Sequence, residues 1–285
     1  MRLVTYSNSG NGGRPSAGML ESGVVIDLAP IGYKTVISFL ADGERALENA
    51  KRLETADGLR LADVKLHAPI PKPDKFICIG LNYRDHAIES GMEIPTVPTV
   101  FSKYPNAICG PEDEIVLPAV SKQVDYEAEL AFVIGKTAKK VKAADWQDVV
   151  FGYTCVHDVS ARDYQLATSQ WTIGKTFDTF GPMGPTLVSK DEIPDPHDLR
   201  ITLERNGDIL QDSNTSQFIF GIGELVEYLS TVMTLAPGDV ISTGTPPGVG
   251  FARKPPIFLE PGDEVVVKIE GIGELRNRCV AEQET

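Results

Sequence analysis

The chain has 285 residues, 42% of them hydrophobic, with a formal charge of -13 and a pI near 4.8. That length allows one large domain or two with an ample core, and without a concentrated basic patch the acidity counts against nucleic acid or an anionic membrane surface as partner. No apolar run approaches the ~20 residues of a bilayer span, and MRLVTYSNSG lacks the basic and apolar segments of a signal peptide, so a cytoplasmic protein is expected. Cys78, Cys109, Cys155 and Cys279 are scattered with no C-x-x-C, which indicates neither a zinc site nor a disulfide framework.

In chain order, MRLVTYS, SAGML and GVVIDL read as short strands and TVISFLADGERALENAKRL as a helical region, together a small N-terminal α+β domain over residues 1–70. HAPIPKPDK follows, and Pro69, Pro71 and Pro73 suit an extended connector. Residues 71–285 then run mostly as strands of five to nine residues: FICIGL, EIVLP, ELAFVIG, FGYTCVHDV, DLRITLERNG, DVISTG and EVVVKIEG. The class is α+β, mainly β. LAPGDV and LEPGDE each place Pro-Gly before a strand, where Pro presets the first central turn residue and Gly supplies positive φ at the second.

Short helices interrupt the strands. Asn82 is expected to cap a helix YRDHAIES that stops at Gly91, with His86 and Glu89 three apart on one face. Ser160 is expected as the N-cap of a second helix, with Asp163 closing a capping box and Arg162 and Gln165 projecting from one side. FIFGIGELVEYLSTVM reads as an amphipathic helix, and the STGTPPGVG that follows reads as an irregular loop suited to ligand contacts. Nucleotide motifs are excluded. GKT at 174–176 lacks the first glycine of a Walker A loop, since position 169 is Ser169, and TGTPPGVG lacks the G-x-G-x-x-G order.

VDYEAELAFVIG carries the informative acids. If the run is extended, Asp125, Glu127 and Glu129 share one face, which alone most often means a solvated face. The run ends apolar on both faces, however, so it leads into the interior, where unpaired carboxylates are costly. Glu127 and Glu129, roughly 7 Å apart at Cα, can converge on one hard cation, and Asp158, ending an apolar strand, is the natural third ligand. Three carboxylates plus water suit Mg²⁺ or Mn²⁺, while Asp125 is expected to face solvent.

The ordered set GLNYRDHAIE, VDYEAELAFVIG, HDVSARDYQ, GKTFDTFGPMGP and STGTPPGVGF resembles the fumarylacetoacetate hydrolase family over roughly residues 70 to 280. The resemblance implies a mixed β-sandwich roll, a homodimer, and Mg²⁺ or Mn²⁺ on Glu127, Glu129 and Asp158. It implies a catalytic pair on a mobile lid helix at His86 and Glu89, with Lys175 also catalytic. Arg162, Gln165, Gly244 and Thr245 would bind the substrate. One departure is His157, where many relatives are expected to carry asparagine.

The implied substrate is a small anionic 2-oxo acid that chelates the metal, in aromatic or sugar-acid catabolism. Hydrolysis of a C-C bond in an acylpyruvate or other β-diketo acid is expected, with His86 activating water. Isomerisation of a hydroxydienoate or decarboxylation of oxaloacetate would use the same enolate. The non-enzymatic alternative is a structural cation that staples the acidic strand, a role that has no need of His86 with Glu89.

Overall fold

The computed structural model describes residues 1–10, 12–53 and 58–283. Around the all-buried strand Ala128–Ile134, a sheet that reaches twelve strands among the described residues assembles. Val150–His157 and Val240–Ser242 flank that strand, both antiparallel to it. Val240–Ser242 pairs in turn, in parallel, with Phe76–Gly80, and Thr99–Lys103 closes that end of the sheet. On the other side Val150–His157 pairs with Gly181–Ser189.

A second sheet of five strands runs Asp208–Asn214, Arg200–Arg205, Glu264–Ile269, Gly273–Ala281 and Glu114–Leu117. Leu130, Phe132 and Tyr153 from the large sheet share one core cluster with Leu203, Val265 and Val267 from the smaller one, which gives the mainly β class expected from the strand pattern and the mixed, layered sheets that the family resemblance implied. The helix Ile222–Val232 buries Leu225, Val226 and Leu229 in the same cluster. No described helix is long and apolar enough to cross a membrane.

Residues 1–70 contribute strands as expected. Arg2–Ser7 pairs with Ser16–Glu21 and with Gly181–Ser189, so the strands before the proline connector extend the large sheet of the later ones. The helical region splits into Val36–Asp42 and Glu44–Ala50 on either side of Gly43, the first opened by a capping box between Thr35 and Ser38. The Pro-Gly turns form as their chemistry dictates: Gly238 and Gly262 take φ of 90° and 100°, and Asp239 and Asp263 close the turns on Ala236 and Glu260. All four cysteines are free and buried.

Two expected caps do not form. The helix Arg84–Glu89 begins after Tyr83 with no side-chain cap. Asn82 is drawn inward instead, donating to the carbonyls of Thr243 (2.9 Å) and Phe220 (3.1 Å) and accepting from Phe220 N–H (2.8 Å). Satisfying those buried backbone groups outweighs a cap on one short helix. Asn82→Ala should therefore lower stability by about 2–3 kcal/mol, read as a shift of the urea midpoint at unchanged m-value; a change below about 0.5 kcal/mol would contradict this role.

Ser160 does not cap either. It lies in the two-residue strand Ser160–Ala161, paired with Val124–Asp125, and its hydroxyl donates to the carbonyl of Asp158 at 2.9 Å. Asp163, released from a capping box, accepts from Ser121 Oγ (2.7 Å) and Lys122 N–H (3.3 Å). Strand pairing sets the backbone here, and the helix Arg162–Gln165 begins after Ala161, so Ser160 is not at the cap position.

Candidate active site

The strand register builds the acidic cluster. Ala128 lies opposite His157, so Glu127, Glu129 and Asp158 emerge at one end of an antiparallel pair. Oxygens of the three carboxylates lie within 4.8 Å of one another, and all three residues are buried. Asp158 N–H donates to the Glu127 carbonyl at 2.9 Å, which fixes the two backbones together.

Buried cations meet these acids. Lys175, on the short helix Thr172–Lys175, donates to Glu127 Oε2 at 2.6 Å and to Asp158 Oδ2 at 2.9 Å. Lys103, at the end of the edge strand, donates to Asp158 Oδ1 at 2.5 Å and to the Val159 carbonyl at 3.1 Å. Arg162 divides its guanidinium between Asp125 (2.8 Å), Glu127 (2.7 Å) and Gln165 (2.8 Å). Burial raises the Glu127 pKa, but Lys175 and Arg162 outweigh it and hold the group below the ordinary carboxylate range.

Glu129 is placed differently. It accepts from Ser242 Oγ and from Gly244 N–H (3.0 Å), and among the described residues no lysine or arginine pairs with it. Burial, then Asp158 and Glu127, push its pKa well above the usual carboxylate range. A carboxylate so crowded by like charge calls for a cation, and a divalent ion on Glu127, Glu129 and Asp158 answers both charge and geometry. The residues fit the metal. Four buried carboxylates, Asp125 included, face three buried cations, Lys103, Arg162 and Lys175. One divalent ion would turn that balance positive, which favours an anionic ligand.

Asp125 does not face solvent; it is fully buried. Its Oδ1 accepts from Gly250 N–H (2.7 Å) and Tyr126 N–H (2.8 Å), and its Oδ2 from Arg162 Nε (2.8 Å) and Phe251 N–H (2.9 Å). The expected alternation is broken because the strand is interrupted after Asp125 and resumes at Ala128. Loop and arginine capture the first acid separately from the triad.

The remaining expected residues other than Gly244 border a cleft of ≈ 500 Å³ with Glu127 and Glu129. His86 Nδ1 lies 3.2 Å from Glu89 Oε2, and Glu89 also accepts from Gly248 N–H at 2.9 Å. Burial raises the Glu89 pKa, but His86 and the Gly248 N–H more than reverse this and keep the group ionised. Their helix is held by Arg84 on the Phe218 carbonyl and by Asp85, which accepts from Ser213. Arg162, Gln165, Lys175 and Thr245 border the same cleft. Gly244 is committed to Glu129, so of that pair Thr245 is the one facing the cleft. His157 is buried with Nε2 unpartnered, and burial, then Lys103, lower its pKa to about 3, so it is neutral and structural.

Sequence reasoning missed Lys103 and Gln211. Gln211 accepts from Ala128 N–H (2.8 Å) and donates to Thr245 Oγ1 (2.9 Å) and the Pro246 carbonyl (2.8 Å), so it ties the central strand to the loop. The one available signal for Lys103 was its parity with Phe101 in TVFSK, which places both on one face of the strand.

The family model described as fumarylacetoacetate (FAA) hydrolase C-terminal matches residues 75–280. The rat protein named oxaloacetate tautomerase Fahd2a, mitochondrial, is 48% identical over 98% of this chain and 92% of its own length. The fumarylacetoacetate hydrolase of Exiguobacterium antarcticum superposes with a TM-score of 0.88 at 35% identity, covering 99% of this chain and all of that one. The maleylpyruvate hydrolase of Sphingobium sp. SYK-6, solved with manganese(II) and pyruvate, gives a TM-score of 0.82 at 32% identity with the same coverage.

Proposed function

The chain belongs to the fumarylacetoacetate hydrolase family, and on that premise we propose that it holds the 2-oxo acid end of a small anionic substrate at the acidic triad and moves a proton at the carbon beside the keto group. The observation that carries this reading is one cleft lined by two acids of a three-carboxylate cluster, Glu127 and Glu129, and by a histidine oriented by a carboxylate. Glu127, Glu129 and Asp158 would hold one Mg²⁺ or Mn²⁺. When bound, the ion supplies Lewis acidity toward a chelating 2-oxo acid.

The protein's own side chains do the rest. Because the Glu89 carboxylate accepts from His86 Nδ1–H, the Nε2 lone pair is left for the substrate. His86 takes a proton from C3 and returns it to the enol oxygen, which makes the reaction a tautomerisation with no atom gained or lost. Lys175 keeps one of its three donors for a substrate oxygen, and the Thr245 hydroxyl, accepting from Gln211, can donate its own proton. Oxaloacetate is the best-supported substrate, given the name of the rat relative and its identity across nearly the whole chain.

Hydrolysis of an acylpyruvate is the second reading. It is favoured by the same Nε2, which can activate a water toward a distal carbonyl, and by the name of the Sphingobium neighbour. A homodimer belongs to the proposal too: Met92, Leu166 and Phe251 are exposed apolar residues at the cleft, an arrangement that suits cover by a second copy.

With Mg²⁺ or Mn²⁺ the purified protein should speed enol-keto exchange of oxaloacetate, followed by enol absorbance, and should lose this on chelation. Faster release of pyruvate from acetylpyruvate would move the assignment to hydrolysis. Inertness toward both substrates with either ion would leave a structural cation site.

A further inference from the structure

Resting on the 2-oxo acid reading, we propose that Lys254 reads a second carboxylate at the far end of the substrate, and so makes the site selective for 2-oxo dicarboxylates over 2-oxo monocarboxylates. Two cations of the cleft are already engaged by the protein's own groups. Arg162 is bonded to Asp125, Glu127 and Gln165, and Lys175 to Glu127 and Asp158 with its one remaining donor at the triad end. These groups balance the protein's own acids. Lys254 borders the same cleft, and among the described residues its ammonium has no hydrogen bond or ion pair.

Lys254 is exposed, but its backbone is anchored. The segment that carries it is fixed to the site: Asp125 accepts from Gly250 and Phe251 N–H, and Ile257 N–H closes the loop on the Gly250 carbonyl at 3.1 Å. Arg253, its neighbour, is turned inward onto Tyr126 Oη (3.0 Å) and the carbonyls of Gly248 and Leu210. Phe251 lies with its ring 5.7 Å from the Arg162 guanidinium carbon, so the backbone leading to Lys254 passes over the residue that touches the triad. An uncommitted ammonium on an anchored loop beside an anion-balanced centre suits the free end of a dianion. In a protein of charge -13, a dianion gains most from such a counter-charge.

The test compares ligands of one chain length that differ at the far end. Calorimetry on the Mg²⁺-loaded protein would measure 2-oxoglutarate against 2-oxopentanoate, with oxalate as a ligand confined to the metal end. Lys254→Met should weaken 2-oxoglutarate about tenfold, the worth of one charge-assisted hydrogen bond, and change 2-oxopentanoate and oxalate less than twofold. Lys254→Arg should restore most of the loss. Equal weakening of all three ligands, or no weakening of 2-oxoglutarate, overturns the assignment. If oxalate fails to bind the unmodified protein, the 2-oxo acid reading falls and this one with it; tight oxalate with indifferent 2-oxoglutarate removes Lys254 alone.

Discussion

Replacing His86 by alanine, or Glu89 by glutamine, is expected to lower turnover of oxaloacetate or an acylpyruvate by about 10² to 10⁴, equivalent to about 3 to 5.5 kcal/mol in the barrier. The two changes act through one group. Glu89 touches His86 Nδ1 and the Gly248 N–H, so its neutral amide removes the charge that sets the ring's tautomer without emptying the space. Metal and oxalate binding should stay nearly intact in both, because the triad, Arg162, Gln165 and Lys175 keep all their contacts with one another. Calorimetry with oxalate and steady-state kinetics on the same preparations separate the effects. Unchanged turnover would make the pair a helix-surface contact, whereas loss of oxalate binding would mean that it holds substrate and does not move protons.

Lys103→Met should destabilise the protein by about 3–5 kcal/mol. Lys103 and Asp158 are both inaccessible to solvent, and methionine keeps the length of the stem while leaving Asp158 Oδ1 without its 2.5 Å donor. The Val159 carbonyl loses its bond as well. Equilibrium urea unfolding measures the loss. In a double-mutant cycle with Asp158→Asn the pair should show a coupling of about 2 kcal/mol or more, since each partner is costly chiefly when the other has gone. Independent, additive effects would mean that Lys103 serves packing alone.

These two sites differ in how far they could be read from residues alone. Glu127, Glu129 and Asp158 were legible because two of them sit two apart in a single run and the third ends an apolar strand, features written locally. His86 and Glu89 were legible for the same reason, three apart on a helix. Lys103 was not. Its partner is 55 positions away, and parity with Phe101 in TVFSK gives the face of the strand without showing that the ammonium is buried on an acid.

Asn82, Ser160 and Asp125 show the reverse case, in which a local pattern was present and a distant partner won. The capping signatures at Asn82 and Ser160 are genuine residue choices, but the backbone groups of Phe220 and Thr243 and the pairing of Ser160 with Asp125 decide where those side chains go. Asp125 looked solvent-bound because Arg162 and the turn at 250–251 cannot be placed beside it by spacing. The strands themselves were easier to find, since hydrophobic runs bounded by Gly and Pro survive any arrangement of the sheet. Their order, with residues 76–80 and 240–242 as parallel neighbours, is long-range and left no local trace.

The way Asp125 grips the loop also bears on how such a site can change over generations. Its bonds to residues 250 and 251 are to backbone N–H, and every residue but proline offers one there. Gly250 itself is constrained, for a Cβ would come within 1.8 Å of the Ile257 carbonyl oxygen, and the Phe251 ring lies over Arg162, but the side chains of Ala252 and Lys254 take no part in the grip. Substitutions at residues 252 and 254 can remodel the wall around the substrate's outer end while the loop stays docked and the charged centre beneath it is undisturbed. The chain thus carries an exchangeable faceplate on a fixed engine, and new specificity can be drawn from a handful of mutations that leave the buried ion pairs alone.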